Sequence, residues 1–213
     1  MRLYRPVYCT DLYNSMQALN ESDLSDMATD MRERILAAAA SLFQARGINA
    51  TGVDTIVAEA GIAKMTLYKY FPAKEDLVLE VVRRRSREFS EWLSQRLDRT
   101  ARNPEEKLQQ LFDGVEEWLA APECSGLPFI KASAEFPQQE SAVHRLSVEL
   151  SNEFRAYITA LAADAGIRAP EALGLQLAML IEGAVLSEQL TKNSGALDSA
   201  RQAARILIDS ARR

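Results

Sequence analysis

The stretch Lys64-Met65-Thr66-Leu67-Tyr68-Lys69-Tyr70-Phe71 gathers two lysines, a threonine and two tyrosines within about two helical turns. Ammonium groups at that density neutralise phosphates, hydroxyls bond to phosphate oxygens and base edges, and apolar side chains meet thymine methyls. Leu67 and Phe71, four apart, fall on one side of a helix and can anchor it. Lys64, Met65, Thr66, Tyr68, Lys69 and Tyr70 then cover much of the rest, and Lys74, just past Pro72, offers a further phosphate contact. A plainer use exists for Tyr68 and Tyr70, which can pack the helix against its neighbours. Other chemistry has no foothold. Carboxylates are plentiful, but there is one histidine, His144, and two cysteines, Cys9 and Cys124, and no HExxH, CxxC, GxSxG or phosphate-loop pattern accompanies them. Neither a metal, a cofactor nor an enzymatic activity is expected. His144 reads as exposed or packed. Cys124 reads as a small loop residue in preference to a redox sensor, because no cationic cluster stands near it in sequence. Arg83, Arg84, Arg85 and Arg87 read as a solvated helix face that can add long-range attraction to a polyanion.

The elements that must position this stretch are helical. Apolar spacing follows a helical period almost throughout, runs of alternating β-branched residues are absent, and the chain holds only 9 Gly and 7 Pro. Asp30 and Glu33 have capping-box spacing ahead of the stripe Ile35, Leu36, Ala39, Leu42 and Phe43, and Gly47 ends that helix. Thr51 and Asp54 repeat the spacing and open a short helix, with Val53, Ile56, Val57 and Ala60 on its buried side, that Gly61 stops. A second short helix, KMTLYKYF, follows a three-residue connection and is halted by Pro72. Short helix, tight glycine turn and short helix form the spacing of a helix-turn-helix, over about residues 53–72. Beyond it we expect a long helix from Lys74 into the high nineties and one from Pro104 to Ala120, capped by Asn103. Four more follow: a short one at 129–135, then 139–165, 170–192 and 196–211. Residues 1–28 lack sustained periodicity and read as a flexible extension, or else Met27 or Met31 is the natural start.

The segment TGVDTIVAEAGIAKMTLYKYFPAKEDL resembles the DNA-binding domain of the TetR family of bacterial transcriptional regulators. The resemblance covers roughly residues 30–80. It implies an all-α protein with a three-helix DNA-binding domain at 29–76 and a helical effector-binding and dimerisation domain at 77–213. It places Lys64, Met65, Thr66, Tyr68, Lys69, Tyr70 and Lys74 at operator-contacting positions, with Thr51 as a phosphate-contacting helix cap. Gly52, Ala63 and Ala73 depart from the family pattern, which often has a hydroxyl-bearing residue or asparagine there. All three sit at or beside helix N-termini, so backbone N–H groups are expected to replace some side-chain contacts to phosphate. Met65 often corresponds to a glycine, so base reading at that point is expected to be apolar. By the same resemblance the long helices enclose a site for a small-molecule effector, for which Trp92, Phe112, Trp118, Phe129 and Met179 are the candidates.

The helix LGLQLAMLIEGAVLSEQL is apolar on more than one side. Leu173, Leu177, Ile181, Ala184 and Val185 suit an internal core, while Leu175, Met179, Leu186 and Leu190 extend round the other side and call for a partner surface. The resemblance implies a homodimer through the last two helices and a palindromic double-stranded operator. The expected function is a repressor released by its effector; the alternative is a helical ligand-binding module, or an activator without effector-controlled release. Overall net charge is −5, which by itself argues against a nucleic-acid binder. The distribution argues otherwise. Residues 28–89 carry ten basic and eight acidic side chains, residues 90–213 thirteen and eighteen, and residues 1–27 two and four, so the extension is not expected to grip DNA. No apolar run approaches the roughly 18 residues of a membrane span, and the opening residues have no apolar leader core, which points to the cytoplasm.

Overall fold

The computed structural model describes residues 21–121, 124 and 126–212. Expectations for residues 1–20, Cys9 included, lie outside the described residues. Nine helices make up the described chain, with no strand among the described residues: α1 (Glu21–Arg46), α2 (Val53–Ala60), α3 (Lys64–Tyr70), α4 (Lys74–Thr100), α5 (Pro104–Ala120), α6 (Pro128–Glu135), α7 (Ala142–Asp164), α8 (Pro170–Leu190) and α9 (Ala196–Ala211).

Most boundaries sit where local chemistry puts them. Asn103 accepts the Glu106 N–H at 2.9 Å, with Pro104 as the first helical residue of α5. Pro128 and Pro170 likewise open α6 and α8, without a side-chain cap before them. Gly61 takes the left-handed conformation, φ 63°, and the Ile62 N–H reaches back to the Val57 carbonyl at 3.0 Å. Two expected caps fail. Asp30 and Glu33 lie inside α1, which begins at Glu21, because a capping box works only where the chain enters from outside a helix. Thr51 does not cap α2 either; the N-cap is Gly52, and no side chain bonds there.

Two apolar cores share α4, which is about 40 Å long. The first joins Ile35, Leu36, Leu42 and Phe43 of α1 to Ile56, Leu67, Phe71 and the start of α4 at Leu77, Val78, Val81 and Val82. The second begins at Phe89 and takes in Leu93, Leu97 and the inner faces of α5, α7, α8 and α9. A division at 76/77 therefore falls inside a continuous helix whose next two turns still belong to the first core. Ala132 of α6 and Val143 and Leu146 of α7 also join that first core, so the N-terminal head is packed onto the body at two points besides α4.

Candidate nucleic-acid interface

Leu67 and Phe71 are fully buried, and they fix which face of α3 looks outward. Arg32 of α1 places its guanidinium 5.4 Å from the centre of the Phe71 ring and pairs with Glu80 at 3.0 Å, and Arg34 closes the end of α2 by donating to the Ala60 carbonyl at 2.9 Å. On this support α3 presents Met65, 82% exposed, with Tyr68, Lys64 and Lys69 also exposed. Thr66 is half-buried. Tyr70 is partly buried and packs against the first core, so its ring has a structural use whatever its hydroxyl meets. Met65, Tyr68 and Lys69, at i, i+3 and i+4, share one face.

The cations around α3 are not equivalent. Lys64 Nζ lies 2.8 Å from Asp54 Oδ1, and this hydrogen-bonded carboxylate raises the lysine pKa. Lys69 is exposed on the same helix. Lys74 is turned inward: its Nζ donates to the Ile48 carbonyl at 2.7 Å, and burial lowers its pKa against the opposing pull of Glu135. Thr51 is likewise committed to the interior, with its Oγ1 2.7 Å from the Gly47 carbonyl and 3.4 Å from that of Leu42. A buried hydroxyl spends its donor on the chain that closes around it. The N-caps of α2, α3 and α4 are Gly52, Ala63 and Ala73, none with a side-chain oxygen to offer, so no side-chain cap satisfies the first N–H groups of those helices. At α4 the N-cap N–H is taken up, since Asp76 accepts the Ala73 N–H at 2.9 Å.

Two side chains that hold the head in place escape any reading of local spacing. Glu135, the last residue of α6, accepts the Ile48 N–H at 2.9 Å and the Asn49 N–H at 2.7 Å, while Asn49 Nδ2 donates back to the Glu135 carbonyl at 2.8 Å. Lys131, one turn earlier, donates to the Phe43 and Gln44 carbonyls at 3.1 Å each in the last turn of α1, adding a second bond to the Phe43 carbonyl that already accepts the Gly47 N–H at 3.0 Å. Burial lowers the pKa of Lys131. Together they clamp the α1–α2 connection to the body. The only sequence signal is a lysine and a glutamate four apart on one short helix.

The five candidate effector contacts do not surround one cavity. Phe112 is buried in the second core. Trp118 meets Phe89 edge-on at 5.2 Å and Trp92 at 5.5 Å, and Phe154 links Phe89 to Phe129 at 5.6 and 6.0 Å, so aromatic edges fill the centre of the body. Met179 is 62% exposed on the outer side of α8, where it lines an open groove with Phe129, Ile130 and Leu186, while Leu177, Ala178 and Ile181 occupy the inner side. Among the described residues no cluster of His, Cys, Asp and Glu could hold a metal ion, and no helix is long and apolar enough to cross a membrane.

Comparison with known proteins places this geometry. Residues 35–81 match the family model described as "Bacterial regulatory proteins, tetR family". The chain is 31% identical over 173 residues to the HTH-type transcriptional regulator LmrA of Bacillus subtilis, covering 78% of this chain and 89% of that protein. Over 93 residues, 42% of this chain and 43% of the other, it is 39% identical to the HTH-type transcriptional repressor KstR2 of Mycolicibacterium smegmatis. Among solved structures, SCO4454, a TetR-family transcriptional regulator from Streptomyces coelicolor, superposes with a TM-score of 0.79 at 25% identity, covering 87% of this chain and 97% of that one. The all-helical chain thus matches relatives along most of its length, and its helix-turn-helix with the exposed basic and apolar face lies within the family match: the chain belongs to the TetR family of transcriptional regulators.

Proposed function

We propose that this regulator represses transcription as a homodimer on a palindromic operator and is released when a small molecule binds its C-terminal body. The observation that carries the reading is the outward face of α3, where Met65, Tyr68, Lys64 and Lys69 are presented by a helix anchored on Leu67 and Phe71. Tyr68 and Met65 address base edges, and Lys64 and Lys69 address phosphates, with Thr66 adding a hydroxyl and Tyr70 reaching out from its packed ring. Thr51 and Lys74 act one step back, shaping the α1–α2 connection from within. Backbone N–H groups at Gly52 and Ala63 supply phosphate contacts in place of hydroxyl caps.

Dimerisation uses the outer face of α8, where Leu175, Met179, Leu186 and Leu190 are exposed, with Ile206 of α9 beside it. A twofold interface repeats each contact and sets two α3 helices about one turn of DNA apart, which is why the operator is expected to be palindromic. Release follows if the effector favours a dimer whose α3 helices no longer fit that spacing, and the clamp of Glu135 and Lys131 gives the body a hold on the head.

The test is a gel shift on the DNA flanking the chain's own coding sequence. Tyr68→Ala with Lys69→Ala should weaken specific binding on the order of a hundredfold, while the protein stays folded and dimeric. Equal retention of operator by the variant and the parent chain would sink the assignment of α3 as the reading helix.

A further inference from the structure

Between α4, α6 and α7 lies an open groove of about 240 Å³ whose two rims carry exposed side chains of opposite charge. Arg83 and Arg87, one turn apart, stand on the α4 side; Glu149 and Glu153, also one turn apart, stand on the α7 side. All four line the same space, yet among the described residues none of them forms an ion pair. Phe129, Leu146 and Leu150 give the space an apolar floor. Ser86 also lines it, is only 4% exposed, and its hydroxyl has no hydrogen-bond partner among the described residues. A buried hydroxyl left unbonded costs free energy, and a Ser facing the helix it sits on ordinarily avoids that cost by bonding to a backbone carbonyl one turn back.

We propose that this groove is the effector site and that it takes a small zwitterion with an apolar side chain, an α-amino acid being the simplest case. The inference rests on the regulator reading above and names the ligand class for it. A purely cationic ligand would pair with Glu149 and Glu153 and leave two arginines facing it; a purely anionic one would do the reverse. A molecule carrying both charges satisfies both walls. Its carboxylate meets Arg83 and Arg87, its ammonium meets Glu149 and Glu153, and one polar atom reaches the Ser86 hydroxyl. The volume sits below the range of about 300–1,000 Å³ typical of drug-sized sites, which suits a small metabolite. Occupancy ties α4 to α7. Because α4 runs without a break from Lys74 to the body, a ligand that fixes Arg83 and Arg87 also fixes the helix on which the DNA-binding head is mounted.

The experiment uses the full chain without DNA and three probes: L-leucine, 3-methylbutylamine, which lacks the carboxylate, and 4-methylpentanoate, which lacks the amine. L-Leucine should raise the melting temperature saturably and bind with a measurable heat, and each truncated probe should bind on the order of tenfold more weakly or worse. Arg83→Gln and Glu149→Gln should each weaken L-leucine on the order of tenfold. Ser86→Ala, which removes a hydroxyl the free protein does not use, should leave the unliganded melting temperature unchanged or raised and still weaken L-leucine. The proposal is overturned if neither L-leucine nor the remaining apolar L-amino acids, tried in turn, give a saturable shift, if the amine or the acid binds as well as the zwitterion, or if the three variants bind as the parent does. Operator binding is scored separately. A chain that holds operator DNA but ignores amino acids loses only the ligand class, whereas one that binds no operator loses the regulator reading, whatever it binds in this groove.

Discussion

Helices α3 and α8 both hold large apolar side chains out in water, and what surrounds those side chains separates their uses. On α3, Met65 and Tyr68 are flanked by Lys64 and Lys69 on a helix of seven residues. The apolar area is small, broken and ringed by cations, which suits a wet, polyanionic partner. On α8, Leu175, Met179, Leu186 and Leu190 recur at intervals of four, seven and four along about 22 Å, and the helix contains no lysine or arginine. A stripe of that length, interrupted only by Glu182 and Gly183 at its middle, suits a largely dry partner with the same stripe, as a twofold axis supplies. Exposure alone would have grouped Met65 with Leu190, at 82% and 79%; the neighbouring charges separate them.

The comparison breaks most completely at α8. Replacing both Met179 and Leu186 with Glu puts two carboxylates from each protomer into the stripe. With about 1.5–3 kcal/mol lost per buried side chain, counted on both sides of the axis, dimer dissociation should rise by a thousandfold or more. Sedimentation equilibrium reads this directly, and operator affinity should collapse with it, because each head then binds a half-site alone. If the double variant sediments as the parent does, α8 is not the dimer surface and its stripe needs another partner.

The link between the two regions is the next place to cut. Glu135→Ala removes the acceptor for the Ile48 and Asn49 N–H groups. Ile48 is buried and Asn49 is exposed, so water replaces only part of the loss, and about 1–2 kcal/mol should go. For a chain of this size the melting temperature should fall by about 2–8 °C, with dimerisation untouched. A regulator whose head remains equally responsive to effector in this variant does not send its signal through α6.

What could be read from the sequence follows the range of the interactions involved. Asn103, Pro104, Gly61 and Pro170 announce helix ends through contacts within four residues, and α5 and α9 begin and end where their spacing says. Leu67 and Phe71 reveal the outer face of α3 by simple periodicity. Asp30 and Thr51 carry equally good local signals and mislead: the first sits within a helix that already runs through it, and the second has its hydroxyl drawn to Gly47 and Leu42 by the fold of the loop. Lys74 shows a cation where phosphate is expected, yet spends it on Ile48 across 26 residues. Glu135 reaches its partners across 86 and 87. Spacing rules describe neighbours on one helix, and such contacts exist only once the chain has turned back on itself.

Within α3 itself, Met65 sharpens the comparison with α8, because its exposure means that truncation disturbs no packing. Met65→Ala should relax preference for one base pair by about 1–3 kcal/mol, on the order of tenfold, and leave the salt dependence of binding as it was. Selection from a pool randomised at the operator reads both. An unchanged consensus would mean that Met65 stands clear of the bases and that Tyr68 does the apolar reading alone.

The smallest effect belongs to Asp54, among the described residues the one carboxylate that pairs with a cation of α3. Its 2.8 Å pairing with Lys64 joins two exposed side chains, so it contributes little to folding, but it competes with phosphate for the same ammonium. Asp54→Asn releases Lys64 and removes a negative charge from the face that approaches DNA. Operator affinity should rise about two- to fivefold at low salt, and the gain should fade as ionic strength rises, since both the lost competitor and the lost repulsion are screened over the same distance. Asp54 also stands in the first turn of α2, where a carboxylate favours the helix, so the melting temperature should drop slightly while binding tightens. That opposition makes the result specific: a stability change alone would weaken both. Unchanged low-salt affinity would place Lys64 outside the phosphate contacts and leave Lys69 as the cation that α3 brings to the backbone.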